Sequence, residues 1–144
     1  MRLFITTFFF FFLSNYFCQN HIKWTFEYDE KNEAVVVYGN IDSSWHTYSI
    51  QNKNNSGPVP TTITLEKKKG YKIIGKVKEI SFPKKVLDLN FDSELFIFDD
   101  IYTAQVPIKF KKEAIVVGKV TYMVCDDSKC FPPIDVPFTL KVKK

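Results

Sequence analysis

The chain has 144 residues, 45% hydrophobic and 25% charged, a length and balance that fit one folded domain. Its formal net charge of +4 is spread over many lysines, including Lys67 to Lys69 and Lys141, Lys143 and Lys144. No nucleic-acid motif accompanies that mild basicity, so nucleic-acid recognition is set aside and a solvated lysine surface is the simpler reading.

The first stretch, "MRLFITTFFFFFLSNYFCQ", has one early charge, Arg2, then an apolar run from Leu3 to Leu13. A basic start, a short apolar core and a polar exit form the layout of a secretory signal. The run is too short to span a bilayer, which needs roughly 20 apolar residues. Residues 1–19 are therefore expected to be a signal peptide and residues 20–144 the mature domain. Lipid attachment at Cys18 is the less favoured option, because "NYFC" lacks the small residue normally found before such a cysteine. Export would leave Cys125 and Cys130 as one pair in an oxidising compartment.

Beyond the signal, the dominant period is two. "HIKWTFEY" puts Ile22, Trp24, Phe26 and Tyr28 on one face and Lys23, Thr25 and Glu27 on the other. Further strands are expected at Ala34 to Ile41, Trp45 to Ile50, Thr61 to Leu65, Tyr71 to Val77 and Leu95 to Phe98. Three more follow, at Ala104 to Phe110, Ile115 to Val124 and Ile134 to Val142. Strict alternation of this kind marks half-buried strands. Polar turns are expected at Asp42 to Ser44, Asn52 to Pro60, Lys67 to Gly70 and Ser81 to Lys85. Pro107 and Pro137 fall on outward positions and should sit at edges or bulges, since proline cannot donate to a ladder. Short strands with polar turns and no helical period predict an all-β antiparallel sandwich.

The pair lies in "VTYMVCDDSKCFPPIDVPFTL". Spacing alone leaves a structural staple and a redox pair both open. A loop this short gives a disulfide a stabilisation of roughly 2 kcal/mol, against more than 4 for a loop near 100 residues. A C-x4-C pair could supply two zinc ligands, but a closed site needs four, and His21 and His46 are the sole histidines. The pair follows one apolar strand and precedes another, so it is expected at the end of a hairpin with its sulfurs accessible. Pro132 and Pro133 stiffen the exit and withhold two backbone donors. An exposed disulfide on a rigid turn suits exchange chemistry.

At this point the residues resemble a family. "VTYMVCDDSKCFPPIDVPFTLKV" is similar to the cysteine-bearing hairpin of the N-terminal periplasmic domain of the bacterial thiol:disulfide interchange protein DsbD. "SSWHTYS" resembles that family's aromatic strand, and "SGPVPTTITL" the Gly-Pro-x-Pro-Thr entry of versions from the Bacteroidota. "GYKIIGKVKE" and "NFDSELFIFDDIYTAQVPIKF" follow in the expected order.

The resemblance implies an immunoglobulin-like sandwich that carries electrons in the periplasm. The donor would be a membrane-embedded thiol reductase. The acceptors would be disulfide isomerases and thioredoxin-like proteins, including those of cytochrome maturation. It implies that Cys130 forms the mixed disulfide with partners and Cys125 resolves it, with Phe131, Pro132 and Pro133 shaping the turn. It further implies a cap loop whose Phe91 covers the sulfurs, with Asp88 the acid beside it and Asn90 and Leu89 where the family often has acids. His46 and Tyr48 match aromatic positions lining the site, and His46 departs from the commoner tyrosine. An imidazole beside a thiol could favour the thiolate; the competing reading of His46 is a surface histidine. Neither metal nor cofactor is called for, and a monomer is expected. With no membrane or thioredoxin domain after Lys144, the chain is expected to act as a stand-alone shuttle. The competing reading of the whole is a secreted β-sandwich binding module with a structural Cys125–Cys130 disulfide.

Overall fold

The computed structural model describes residues 20–52 and 57–144, so the expected signal segment and Cys18 lie outside the described residues. In chain order the strands are β1 (Ile22–Asp29), β2 (Ala34–Ile41), β3 (His46–Tyr48), β4 (Thr62–Leu65), β5 (Tyr71–Ile73) and β6 (Lys78–Glu79). They continue with β7 (Lys84–Asp88), β8 (Ser93–Phe98), β9 (Ile101–Phe110), β10 (Glu113–Tyr122), β11 (Val124–Cys125) and β12 (Ile134–Lys143). Every strand pairing is antiparallel.

One sheet runs β1-β2-β9-β5, with β6 also paired to β9. It faces a three-stranded sheet, β12-β10-β4. The alternation expected in β1, β9 and β12 is what builds the space between them. Tyr102, Ala104, Val106, Ile108 and Phe110 of β9 are all buried, and so are Ala114, Val116, Val120 and Tyr122 of β10. Apolar burial on this scale is the main favourable term in folding. Together the sheets form an immunoglobulin-like antiparallel β-sandwich.

Gly118 marks the tightest point. A Cβ there would lie 2.7 Å from the Thr64 carbonyl oxygen and 2.8 Å from both Leu65 Cδ2 and Phe138 Cζ. Only glycine lets β10 run that close to β4 and the Phe138 ring.

Four expectations change. The strand expected from Ile115 to Val124 breaks at Met123: β10 ends at Tyr122, paired with Ile134, and β11 turns away to pair with β3. Ser81 to Lys85, expected as a turn, contains the start of β7, which pairs with β8 from Lys84↔Ile97 to Asp88↔Ser93. The Tyr71 to Val77 strand shortens to β5, and the chain rejoins β9 as β6. Pro107 sits inside β9, not on an edge strand; its carbonyl accepts from Ile74 N at 3.0 Å. The residue's missing donor falls where that neighbour has left the ladder between β5 and β6. Pro137 does lie on an edge, since β12 ends its sheet.

The third sheet, β11-β3-β8-β7, carries the site. It has a small core of its own, formed by Tyr48, Leu95, Ile97 and Cys125, with Val86, Phe91, Met123 and Cys130 packed against it. The disulfide is thus built into a satellite of the main core.

Candidate functional site

The break at Met123 is held from the side. Thr47 Oγ1 donates to the Met123 carbonyl at 2.8 Å and bonds Thr61 Oγ1 at 2.8 Å. Beyond it Cys125 pairs with His46 across the ladder. The chain then turns back through the polar "DDSK". Asp126 Oδ1 accepts from the Ser128 and Lys129 amides, each at 2.8 Å, and Asp126 N donates to the Lys129 carbonyl at 2.9 Å. An aspartate that caps the amides two and three residues on makes a self-contained turn. Those bonds, the Ser128 amide foremost, hold the Asp126 carboxyl below its ordinary range. The turn returns Cys130 to Cys125, and the two form a disulfide.

The pair is not the exposed disulfide expected from the sequence. Cys125 is fully buried and Cys130 half-buried. The difference arises because β11 is drawn into the β3 sheet, which tucks Cys125 beneath the turn and leaves Cys130 at the rim. Access is therefore one-sided: whatever approaches from solvent meets the Cys130 sulfur first.

Around that sulfur the sequence-selected residues converge. His46 and Tyr48 sit two apart on β3 and project to one face, as strand geometry requires. Tyr48 is fully buried and its hydroxyl lies 4.0 Å from Cys130 Sγ. It donates to Asp88 Oδ2 at 2.8 Å, and His46 Nε2 lies 3.0 Å from the same hydroxyl and 3.2 Å from Asp88 Oδ2. Asp88 arrives at the end of β7 and is buried. A buried carboxylate is costly unless fully bonded. Here its second oxygen, Oδ1, accepts the Asn90 amide at 2.9 Å and the Phe91 amide at 3.2 Å. Burial, and then the bond to Asp88, pushes the Tyr48 hydroxyl well above its ordinary pKa, so it stays a proton-bearing phenol. The surface-histidine reading of His46 fails, because the ring is buried between Tyr48 and Asp88.

Asp88 thereby also shapes the β7–β8 turn. Phe91 sits on that turn, half-buried, with its ring edge-on to Tyr48 at 5.9 Å between centroids. It packs with Cys125 and Cys130 in the small core. Leu89 is exposed, whereas Asn90 has a use that the sequence did not reveal. Its side-chain amide donates to the Asp126 carbonyl at 2.8 Å and joins the Phe91 turn to the cysteine turn.

On the other flank, Phe131 of the expected turn has partners the sequence did not reveal. Phe131 follows Cys130 and stacks at 5.4 Å on Trp45, which in turn stacks on His21 at 3.6 Å. Lys129 Nζ lies 5.5 Å from both the Trp45 and Phe131 rings. Pro132 and Pro133 are exposed beyond this stack. The aromatic content of "SSWHTYS" signalled packing here, but the partner from the N-terminal end had no signal in sequence spacing. Among the described residues, no three His, Cys, Asp or Glu side chains converge as a metal site.

Comparison with known proteins adds three findings. The family model for the N-terminal domain of thiol:disulfide interchange protein DsbD matches residues 15–141. The reduced form of the Neisseria meningitidis DsbD N-terminal domain is similar in structure, with a TM-score of 0.59 and 15% identity over 85% of this chain and 86% of that one. A chain from the complex between the DsbD and PilB N-terminal domains of Neisseria meningitidis matches with a TM-score of 0.57 and 14% identity, over 81% of this chain and 80% of that one. No curated protein sequence matches.

Proposed function

The chain belongs to the family of DsbD N-terminal domains, and from that membership we propose that it is an exported thiol–disulfide exchange protein working through Cys125 and Cys130. Residues 1–19 act as its signal peptide and the periplasm is its compartment. The observation that carries the reading is the asymmetry of the pair: Cys130 half-buried at the rim, Cys125 fully buried behind it.

The chemistry follows. In the reduced protein the Cys130 thiolate attacks one sulfur of a partner's disulfide, forming a mixed disulfide and releasing the partner's other sulfur as a thiolate. Cys125, deprotonated in turn, attacks Cys130 Sγ, which re-forms the Cys125–Cys130 bond and releases the partner's second sulfur. Two electrons pass to the partner, and the protons lost by Cys125 and Cys130 balance those taken up by the partner's thiols. Reloading runs the sequence backwards with a donor dithiol.

In both directions the attacked or attacking sulfur must be reached, so the rate depends on access and on the thiolate fraction. Phe91 governs access. Tyr48, kept protonated, is the group whose hydroxyl lies nearest Cys130 Sγ and can turn its proton from Asp88 to a thiolate there. His46 and Asp88 hold that hydroxyl in place. Acceptors with a thioredoxin-like fold and a membrane-embedded reductase as donor are the partners that fit; the DsbD domain of Neisseria meningitidis forms a complex with the PilB N-terminal domain.

The test is trapping. Cys125→Ser, incubated with an oxidised thioredoxin-like protein, should accumulate a mixed disulfide through Cys130, whereas Cys130→Ser should accumulate none. Equal trapping by both variants, or by neither, would overturn the assignment and favour a binding module with a structural bridge.

A further inference from the structure

The lysines that look dispersed in the sequence converge in the fold. The run 67–69 closes the β4–β5 connection, 111–112 the β9–β10 turn, and Lys141 and Lys143 end β12. All gather at one end of the sandwich around Gly70, whose φ of 113° turns the chain there. Three shallow hollows share that glycine, and two of them gather the lysines of the strand ends. One, of about 510 Å³, is lined by Lys68, Lys69 and Lys141 over a floor of Ala114, Ile115 and Val117. Its neighbour, of about 630 Å³, is lined by Lys111, Lys112, Lys143 and Lys144. Carboxylates are few: Glu66 pairs with Lys68 and Glu33 with Lys144, while Glu113 lies between the hollows. The lysines at 67, 69, 111, 112, 141 and 143 enter no ion pair among the described residues.

The opposite end carries the disulfide, with Asp88 and Asp92 at the β7–β8 turn, Asp126 and Asp127 in the cysteine turn, and Lys129 as the cation among them. β10 runs from one end to the other with ten residues, about 30 Å at ~3.3 Å per residue. The charge is therefore polarised along the strands, positive at the end remote from the sulfurs.

We propose that this lysine pole is a docking surface for an anionic phospholipid bilayer, which would hold the protein on the membrane with its cysteines facing away. Three features select a bilayer. The cationic groups are lysines, point charges on flexible stems that suit a diffuse field of headgroups and lack the fork that reads a phosphate bidentately. They ring an apolar centre, with Ile115 57% exposed on β10, and long lysine stems can lie along such a surface with their ammonium groups at the headgroup level. The pole also presents loop ends and shallow hollows, not a groove lined with exposed aromatic rings, which is what a nucleic-acid strand would need to stack on. Such docking goes beyond the exchange reading, and it is measured without any thiol chemistry.

Each lysine held near an anionic surface contributes roughly a fivefold gain in partition, and the attraction is screened within a Debye length. The experiment is co-sedimentation of the purified protein with vesicles of phosphatidylcholine containing one-third phosphatidylglycerol, and with vesicles of phosphatidylcholine alone. Binding to the first at low salt is expected, with loss at high salt and none to the second. Lys69→Glu, Lys112→Glu, Lys141→Glu together should lower partition by more than a hundredfold. The same charge change on Lys23, Lys76 and Lys78, exposed outside the pole, should cost far less. Binding that ignores salt, binding to neutral vesicles, an equal loss in the two triple variants, or no vesicle binding at all would each overturn the proposal. A single-stranded oligonucleotide bound through the same lysines in place of vesicles would overturn it too. Mixed-disulfide trapping in solution should be unaltered in the pole variant, so failure here and failure of the exchange reading are separate outcomes.

Discussion

Phe91→Ala should turn a guarded disulfide into an open one. The Phe91 ring is half-buried, packs with Cys125 and Cys130, and meets Tyr48 edge-on at 5.9 Å. Half-burial of a phenylalanine is worth about 1–1.5 kcal/mol, and an edge-to-face pair adds about 0.5–1 kcal/mol. The closed position of the β7–β8 turn is thus held by roughly 2 kcal/mol of side-chain packing, a factor of about 30 in the closed-to-open ratio. Removing the ring should speed reduction of the disulfide by a small dithiol by ten- to thirtyfold. Quenched thiol counting against time reads that rate directly. Phe91→Leu, which restores bulk without the aromatic pair, should fall between. The backbone of the turn should survive the change, because Asp88 still accepts the amides of residues 90 and 91. A Phe91→Ala rate within twofold of the unchanged protein, with its far-ultraviolet spectrum intact, would refute the idea that Phe91 controls access.

Reducing the disulfide should destabilise the protein by only about 2 kcal/mol, the value for so short a loop; urea unfolding with and without dithiol checks this, and a loss above 4 kcal/mol would mark a structural staple. Gly118→Ala should destabilise by about 1–3 kcal/mol through overpacking, because its new methyl would meet the Thr64 carbonyl at 2.7 Å, and a lowered melting temperature is the readout. Stability should fall in alkali. Tyr48 and Tyr102 are raised, chiefly by burial, above their ordinary 10.0. They stay protonated in the fold while the unfolded chain ionises above that pH. Their contribution is complete below pH 10 and declines by up to about 1.4 kcal/mol per pH unit for each tyrosine above it. Tyr48→Phe should make that decline shallower, and an unchanged slope in chemical unfolding between pH 10 and 11 would contradict the placement of its hydroxyl.

Much of the fold was legible because burial on one face imposes a period of two. The alternations of β1, β9 and β12 were readable for that reason, and Ala34 to Ile41 because a central strand buried on both sides reads as a short apolar run. β7 was not. In "KKVLD" Val86 is half-buried, Leu87 is exposed and Asp88 is buried, so the hydrophobic signal is inverted at its end. That strand exists because β8 offers it an edge, a tertiary cause that no local pattern records. The same holds for the site. Cys125 and Cys130 could be picked out by residue type and spacing, and His46 and Tyr48 through the family resemblance, yet the burial of Cys125 depends on its pairing with His46 across the sheet. The bond from Asn90 to Asp126 likewise joins two turns that only the folded sheet brings together. The nearness of the lysines was not legible, because the ends of β4, β9 and β12 meet only in three dimensions.

On the exchange reading, the break at Met123 explains how one short chain holds a stable sandwich and a reactive bond at once. Had β10 continued straight to Cys125, the sulfurs would have extended the β10–β12 ladder, and any movement at them would have strained the main core. Instead the ladder ends at Tyr122↔Ile134, and Thr47 takes the Met123 carbonyl. β11 is then only two residues long and belongs to the small sheet. Opening or closing the disulfide disturbs Tyr48, Leu95 and Ile97, whereas Val116, Val120 and Phe138 belong to the separate main core. Elements with few buried contacts open at low cost, and those with many do not. A redox centre has to change its bonding in every cycle, so its place in the smaller of two cores confines the structural cost of that change to the part of the protein that a partner must reach anyway.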